Sequence, residues 1–201
     1  RAMSVQAIAA RLDDRFRLLV SGDRTVLPRQ RTLRALIDWS FELLSEPERV
    51  LFRRLAVFAG GCTLEAAEAV GAGDDLQADE VLDLLAQLVG KSLVLMEAGG
   101  ARYRMLETVR AYAQEKLAAG GDEAATRGRH VECCLQLAEA ARQHLAGPEQ
   151  AAWLQRLDEE RENLLAAHAW CGVDLRCRDR GLQLVFVLKT YWRLRGLLEV
   201  G

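Results

Sequence analysis

The stretch DEVLDLLAQLVGKSLVLMEAGGARYRML, residues 79–106, decides the predicted fold because its apolar pattern changes period halfway along. From Asp79 to Val89 the apolar residues recur at three- and four-residue steps and leave little polar face, which predicts a helix at the centre of a core. After Gly90 two short runs, 92–97 and 102–106, flank a glycine-containing turn and predict a β-hairpin. This hairpin is the one credible strand pair that the sequence offers.

Two shorter helices precede this stretch. The order Ser45-Glu46-Pro47-Glu48 has the form of a capping box and predicts a helix that starts at Glu46 and ends before Gly60-Gly61. Thr63 is the predicted N-cap of a further short helix over 64–70. Three short helices followed by a hairpin is the order of a winged helix-turn-helix.

The flanking segments also have helical periodicity. Upstream, helices are predicted over 4–19 and 32–44, and the Pro-containing, Arg-rich segment 24–31 is predicted to connect them. After the hairpin the spacing from Glu107 to Leu117 is helical, and Gly120-Gly121-Asp122 indicates a boundary. Beyond it three helices are predicted, over 124–145, 148–170 and 178–198.

The predicted fold class is therefore mainly α. It consists of a winged helix-turn-helix with a small β-hairpin, followed by α-helical hairpins that resemble the start of a tetratricopeptide-like solenoid. Three domain ranges follow from these boundaries: 1–22, 23–119 and 120–201.

Composition limits the functional classes. The chain of 201 residues has 27 basic and 29 acidic residues, so a formal net charge of −2 gives no global attraction to nucleic acid or anionic lipid. Five cysteines in no regular spacing argue against a secreted disulfide framework, and no apolar run is long enough to cross a membrane. We expect a cytoplasmic protein without a membrane segment. Its start without methionine and its end after an apolar run predict a fragment of a longer protein.

No catalytic motif is present in the sequence. Gly90-Lys91-Ser92 matches the end of a P-loop, but Leu85 stands where the first glycine of that motif belongs, so the phosphate cradle is missing. The sequence therefore predicts no enzyme, no metal and no cofactor in this fragment. His130, Cys133 and Cys134 allow a metal site to be drawn, but buried cysteines are the favoured interpretation. Cys171 and Cys177 are expected to be reduced thiols.

The third helix of the winged helix-turn-helix has the wrong charge for DNA. Between Ala78 and Gly90 it carries Asp79, Glu80 and Asp83 and no cation, so it would meet phosphates with negative charge. Arg102 and Arg104 lie in the predicted hairpin, where solvation or pairing with carboxylates of a neighbouring domain is the favoured interpretation. Nucleic acid is therefore an unlikely partner on sequence grounds.

Three blocks of sequence carry a family resemblance, namely residues 32–44, 51–58 and 84–94. They resemble the region after the ATPase core in bacterial STAND regulators, a group that includes large LuxR-type and "predicted ATPase" regulators and is similar to NB-ARC proteins. By this resemblance, 1–22 is the end of the helical domain after the ATPase core, and the longer protein binds ATP or ADP. The family's Met-His-Asp motif corresponds here to Met105-Leu106-Glu107, a candidate nucleotide-sensing site. Leu106 cannot donate a hydrogen bond to a phosphate, and Glu107 is placed to stabilise a helix start.

The leading functional hypothesis is a regulatory switch and linker of a STAND-type ATPase. It would couple the nucleotide state of the ATPase core, a partner in cis, to the C-terminal helices, which would bind a protein or small-molecule effector. Two alternatives stay open: a DNA-binding winged-helix module of a transcriptional regulator, and a structural helical scaffold.

Overall fold

The computed structural model describes residues 28–97, 100 and 102–196, which belong to two compact units divided between Ser45 and Glu46. The predicted helix over 4–19 and the predicted domain 1–22 lie outside the described residues. In the first unit, helix α1 spans Pro28–Glu42. The prediction of a connector up to residue 31 is wrong, because the helix already begins at Pro28, and proline has the backbone geometry that the first turn of a helix favours.

The second unit opens with the helices of the predicted helix-turn-helix. Helix α2 spans Glu46–Leu55, α3 spans Leu64–Gly71, a 3-10 turn covers Ala78–Glu80, and α4 spans Val81–Gly90. The predicted cap of α3 is confirmed, because the Thr63 hydroxyl accepts from the Ala66 N–H. Helix α2 ends earlier than predicted, and the chain from Ala56 to Phe58 continues in single turns with hydrogen bonds to the residue three positions back.

The hairpin is confirmed in a shorter form. Strand β1, Leu95–Met96, pairs antiparallel with β2, Tyr103–Arg104, so that Leu95 lies opposite Arg104. Cys62 forms a single antiparallel bridge beside the sheet, since it exchanges two backbone hydrogen bonds of 2.8 Å with Tyr103. The wing sheet therefore bonds to a residue from the loop between α2 and α3, which the local sequence pattern does not reveal.

The region that follows the hairpin is helical, as predicted. Helix α5 spans Glu107–Gly120, α6 spans Glu123–His144, α7 spans Gln150–Glu159, α8 spans Arg161–Val173, a 3-10 turn covers Leu175–Cys177, and α9 spans Arg178–Leu194. The single helix predicted over 148–170 is wrong: it is broken at Glu160, which has φ −95° and ψ 3°. No glycine or proline marks this break.

Both halves of the second unit have a buried apolar core. In the winged half, α2 packs against α3, α4 and α5, and the core includes Leu51, Phe52, Val70, Leu85, Leu88 and Leu117. In the helical region, α6 packs against α8 and α9, and it also packs against α3 of the winged half. The predicted fold class is thus confirmed: a mainly helical chain with a winged helix and a two-stranded antiparallel sheet, followed by a helical region.

The tryptophans behave in two ways. Trp192 is buried in the core of the helical region, and Trp153 and Trp170 pack against that core. Trp39, by contrast, is exposed on α1. The three tryptophans of the helical region therefore contribute to its core packing.

Candidate nucleic-acid interface

The third helix of the helix-turn-helix has one buried face and one exposed face. Val81, Leu85 and Leu88 point into the core and fix the helix against α2 and α3. The exposed residues of the 3-10 turn and α4 that form the other face are Ala78, Asp79, Glu80, Leu82, Asp83, Ala86 and Gln87. The surface that a winged helix-turn-helix offers to the major groove is therefore acidic here, with a single side-chain amide, that of Gln87.

The lysine that follows α4 in the chain already has a partner. Lys91 lies at the C-terminal end of α4, and its ammonium group pairs with the carboxylate of Glu48 on α2. Glu48 is buried, so its charge needs a partner within the protein. Lys91 therefore stabilises the junction of α2 and α4, and its charge is not fully available to a phosphate.

The two arginines of the wing point in different directions. Arg104 has a side chain that is 58% exposed and lies 3.4 Å from the Glu97 carboxylate in the neighbouring strand end. Arg102 is mostly buried, and its guanidinium pairs with Glu160 of the helical region. Arg104 is thus the wing cation that can reach a phosphate backbone.

The segment Met105-Leu106-Glu107 connects the wing to α5. Met105 is half-buried beside Phe58 and Val94, whereas Leu106 is exposed and precedes the first turn of α5. The carboxylate of Glu107 accepts from two nitrogens of Arg110, at 3.0 and 2.7 Å. The hydrogen bond from Arg110 lowers the pKa of Glu107, partly opposed by desolvation. The structure brings these residues together at a helix start, and a nucleotide-sensing role for them stays a prediction.

A polar cluster that the sequence analysis missed holds the turn of the helix-turn-helix. Arg54, with a side chain 5% exposed, donates to the Gly71 carbonyl at 2.8 Å, to Asp75 at 2.6 Å and to Asp122 at 3.1 Å. Arg129 of α6 donates to the neighbouring Val70 carbonyl at 2.9 Å. These contacts satisfy carbonyls at the end of α3 and tie the turn to the helical region. One signal in the sequence could have indicated that Arg54 is buried: it stands three residues after Leu51, which places it on the buried face of α2.

The candidate metal ligands lie at the junction of the two halves. His130 is buried, with its ring edge-on to Phe58 at a centroid distance of 5.1 Å and its Nε2 atom 3.7 Å from the Cys134 sulfur. Burial, assisted by the charge of Arg127, lowers the pKa of His130 to about 4. Within residues 28–97, 100 and 102–196, no group of three or more His, Cys, Asp or Glu side chains is arranged to hold a metal ion.

The cysteines are free thiols. Burial raises the pKa of Cys62 to about 12 and raises that of Cys134 and Cys171 as well. A thiol with a raised pKa has little thiolate at neutral pH, so these side chains behave as apolar core groups rather than as nucleophiles.

In the part of the chain that the structure describes, none of the helices has the length and apolar character required to cross a membrane.

The winged half matches a known domain family, since residues 44–118 match the winged helix-turn-helix domain. Over the whole chain, a protein of Mycobacterium tuberculosis (strain H37Rv) named "Putative HTH-type transcriptional regulator" is 46% identical, and so is a protein of the same name from Mycobacterium bovis. An "Uncharacterized protein" of Mycobacterium tuberculosis is 42% identical over 74% of this chain and 36% of its own length. No solved structure matches the chain.

These relatives correct the leading functional hypothesis. The switch and linker function in a STAND-type ATPase is wrong, because the relatives that match along the full chain carry the name of transcriptional regulators, and the matching domain is a winged helix-turn-helix. The chain spans 23% of the length of these regulators, about a quarter. Residues 44–118 thus form a winged helix-turn-helix domain, similar in sequence to part of two mycobacterial proteins named as regulators of transcription.

Proposed function

We propose that this chain is a section of a transcriptional regulator and that its winged helix binds duplex DNA. The observation that carries this proposal is the winged helix-turn-helix at residues 44–118, within a chain whose full length is similar to proteins named as transcriptional regulators. In DNA-binding proteins of this fold, the helix that follows the turn lies in the major groove. The same position is occupied here by the 3-10 turn and α4.

Two exposed groups are suited to DNA contact. The Gln87 side chain lies on the exposed face of α4, and a side-chain amide can pair with the N6 and N7 atoms of adenine. Arg104 lies on the exposed side of the wing and supplies a cation for a phosphate. The carboxylates of Asp79, in the 3-10 turn, and of Asp83, on α4, oppose binding. With Arg104 as the identified phosphate contact, we expect a weak affinity that is measurable at low salt and falls with a shallow slope as salt is added.

The test is fluorescence anisotropy of random duplex DNA with the 201-residue chain at low salt, followed by a salt titration. Arg104→Ala is expected to weaken binding and to reduce the salt slope by about one. Asp83→Asn is expected to strengthen binding, because it removes a repulsive charge from the groove-facing helix. Arg193→Ala is the matched control, since Arg193 is an exposed cation on α9 of the helical region.

Absence of binding at low salt would contradict the DNA proposal for this section of the protein. Equal effects of Arg104→Ala and Arg193→Ala would show that binding is non-specific attraction to basic side chains. In that case the winged helix has no defined DNA-facing surface.

A second candidate function is favoured by the acidity of the exposed helix face. Asp79, Glu80 and Asp83 surround the exposed Leu82, a combination that suits a protein partner with a basic rim and an apolar centre. Under this candidate the winged helix contacts another protein within the regulator, and Asp83→Asn weakens that contact while leaving DNA binding absent. The opposite responses to this one substitution separate the two candidates.

Several predictions from the sequence stay untested. Two concern the longer protein, namely its ATP or ADP and its ATPase core as a partner in cis. Two concern the C-terminal helices, namely their effector and their likeness to tetratricopeptide repeats. The others are the cytoplasmic location and the domain ranges 1–22, 23–119 and 120–201. Binding of ADP to this chain, measured by the same anisotropy method, would test whether Met105-Leu106-Glu107 contacts nucleotide.

A further inference from the structure

The loop between α2 and α3 lies between the wing and the helical region. On the wing side, Cys62 forms its two backbone hydrogen bonds with Tyr103. Gly61 beside it has φ +78°, and a Cβ atom there would lie 2.6 Å from the Tyr103 carbonyl oxygen. The loop therefore lies in close contact with strand β2, and a shift of β2 requires a shift of the loop.

On the other side, this loop is held by a single side chain of α8. Asn163 is 1% exposed, and its carbonyl oxygen accepts from the Ala59 N–H at 2.9 Å and from the Gly60 N–H at 3.4 Å. Its amide nitrogen donates to the Gly61 carbonyl at 2.8 Å and to Glu160 at 2.6 Å. One buried amide therefore bonds to three backbone groups of the loop, and its loss would leave the N–H groups of Ala59 and Gly60 without this acceptor.

The wing itself reaches the same point through Arg102. Its guanidinium pairs with Glu160 and donates to the carbonyls of Gly60 and Gly61, at 3.1 and 3.2 Å. Arg102, Glu160 and Asn163 thus form one connected set of hydrogen bonds, which we call the wing latch. Glu160 is the residue at which the helix predicted over 148–170 breaks, so the break places this carboxylate beside the wing.

The wing sheet is too small to hold its own position. Each of its two strands has two residues, and a two-stranded hairpin alone is at best marginally stable in water. Leu95 and Met96 of β1 are exposed, so little apolar burial comes from this strand. The contacts that orient the wing are therefore those with its surroundings, and the wing latch supplies buried polar contacts beside the Cys62–Tyr103 backbone bonds.

We propose that the wing latch transmits the state of the helical region to the wing: when α7 and α8 move relative to α2, the Arg102–Glu160 pair and the Asn163 bonds break together and the wing is released. Any partner that shifts these two helices would then change the position of Arg104. The consequence for DNA rests on the proposed function, whereas the release of the wing does not.

Hydrogen exchange of the 201-residue chain under native conditions tests the proposal without DNA. In Asn163→Ala and in Glu160→Gln, we expect the amide protons of Ala59, Gly60 and Tyr103 to exchange about tenfold faster or more, since buried hydrogen bonds are lost locally. Amide protons in the middle of α4 and α9 should keep their rates. Glu159→Gln is the matched control, because this substitution makes the same change of charge one residue away. The Glu159 side chain bonds to Gln155 on the exposed side of α7 and not to the wing latch.

Two results would overturn the proposal. One is an unchanged exchange rate at the wing in both variants, which would mean that the wing holds its position without the latch. The other is the same acceleration throughout α4, α9 and the wing, which would mean that the residues contribute only to global stability. A DNA titration of the same variants separates this proposal from the proposed function. Faster exchange at the wing, with no DNA binding in any variant, would support the wing latch and contradict the proposed function.

Discussion

The guanidinium of Arg54 lies 3.1 Å from the carboxylate of Asp122, and this pair joins α2 of the winged helix to the residue that precedes α6. The other carboxylate oxygen of Asp122 is buried without a hydrogen-bond partner, so the aspartate depends on Arg54. Together with the wing latch and the Arg129–Val70 hydrogen bond, this pair attaches the winged half to the helical region. The winged helix is therefore built into a larger unit.

Removal of Arg54 should be strongly destabilising. Arg54→Ala removes a hydrogen-bond donor from Asp122 and from the Gly71 carbonyl, and we expect a loss of about 1 to 3 kcal/mol in the free energy of unfolding. Urea denaturation monitored by circular dichroism measures it. Arg49→Ala, which alters an exposed pair with Glu46 on the same helix, is expected to cost less than about 1 kcal/mol. Equal losses in the two variants would show that Arg54 is an ordinary surface cation.

A charge should destabilise the winged half when it is placed on the buried face of α4 but not when it is placed on the exposed face. Leu85 is 0% exposed and Leu82 is 47% exposed on the same helix. We expect Leu85→Asp to unfold or aggregate the winged half, since a buried unpaired charge costs several kcal/mol, about the whole stability of a domain. Leu82→Asp should keep a melting curve close to that of the native chain. A soluble Leu85→Asp variant with an unchanged melting curve would mean that the core is elsewhere.

Acid should weaken the junction through His130. Its pKa falls from an ordinary 6.5 to about 4 on folding, so the unfolded chain binds the extra proton first. The stability that the neutral ring contributes is thus fully present above pH 6.5 and is lost as the pH falls towards 4, with a total of about 3 kcal/mol. Denaturation at pH 7 and at pH 4.5 should show a smaller difference for His130→Gln than for the native chain. The same pH dependence in both proteins would place the acid sensitivity in other groups.

Two glycines with similar positive φ angles should differ in their tolerance of a side chain. Gly61 and Gly121 have φ values of +78° and +81°, but a Cβ atom at Gly121 would meet nothing within 4 Å, whereas one at Gly61 would overlap the Tyr103 carbonyl. Gly121→Ala is expected to cost about 1 to 2 kcal/mol from the left-handed backbone alone. Gly61→Ala should cost more and should also accelerate hydrogen exchange at Tyr103. A smaller loss at Gly61 would contradict the close contact of loop and wing.

Much of the fold could be predicted because its signals are local. The helix periods, the Thr63 cap, the change of period after Gly90 and the glycine-containing turn all involve residues within a few positions of each other, which is the range of helical and hairpin hydrogen bonds. The acidity of the α4 surface was predicted in the same way, from the residues between Ala78 and Gly90. The helix break at Glu160 carried no such signal.

The sequence by itself determined the order of the helices, the hairpin and the charge of the exposed α4 face, since each depends on neighbouring residues alone. Only the tertiary structure decided that Arg102 pairs with a carboxylate 58 positions away and that Asn163 bonds to a loop more than 100 positions earlier. The physical reason is that the sequence does not distinguish a polar residue that becomes buried from one that stays on the surface. Its partner is selected when the helices pack and water is excluded, because an unsatisfied group is then costly.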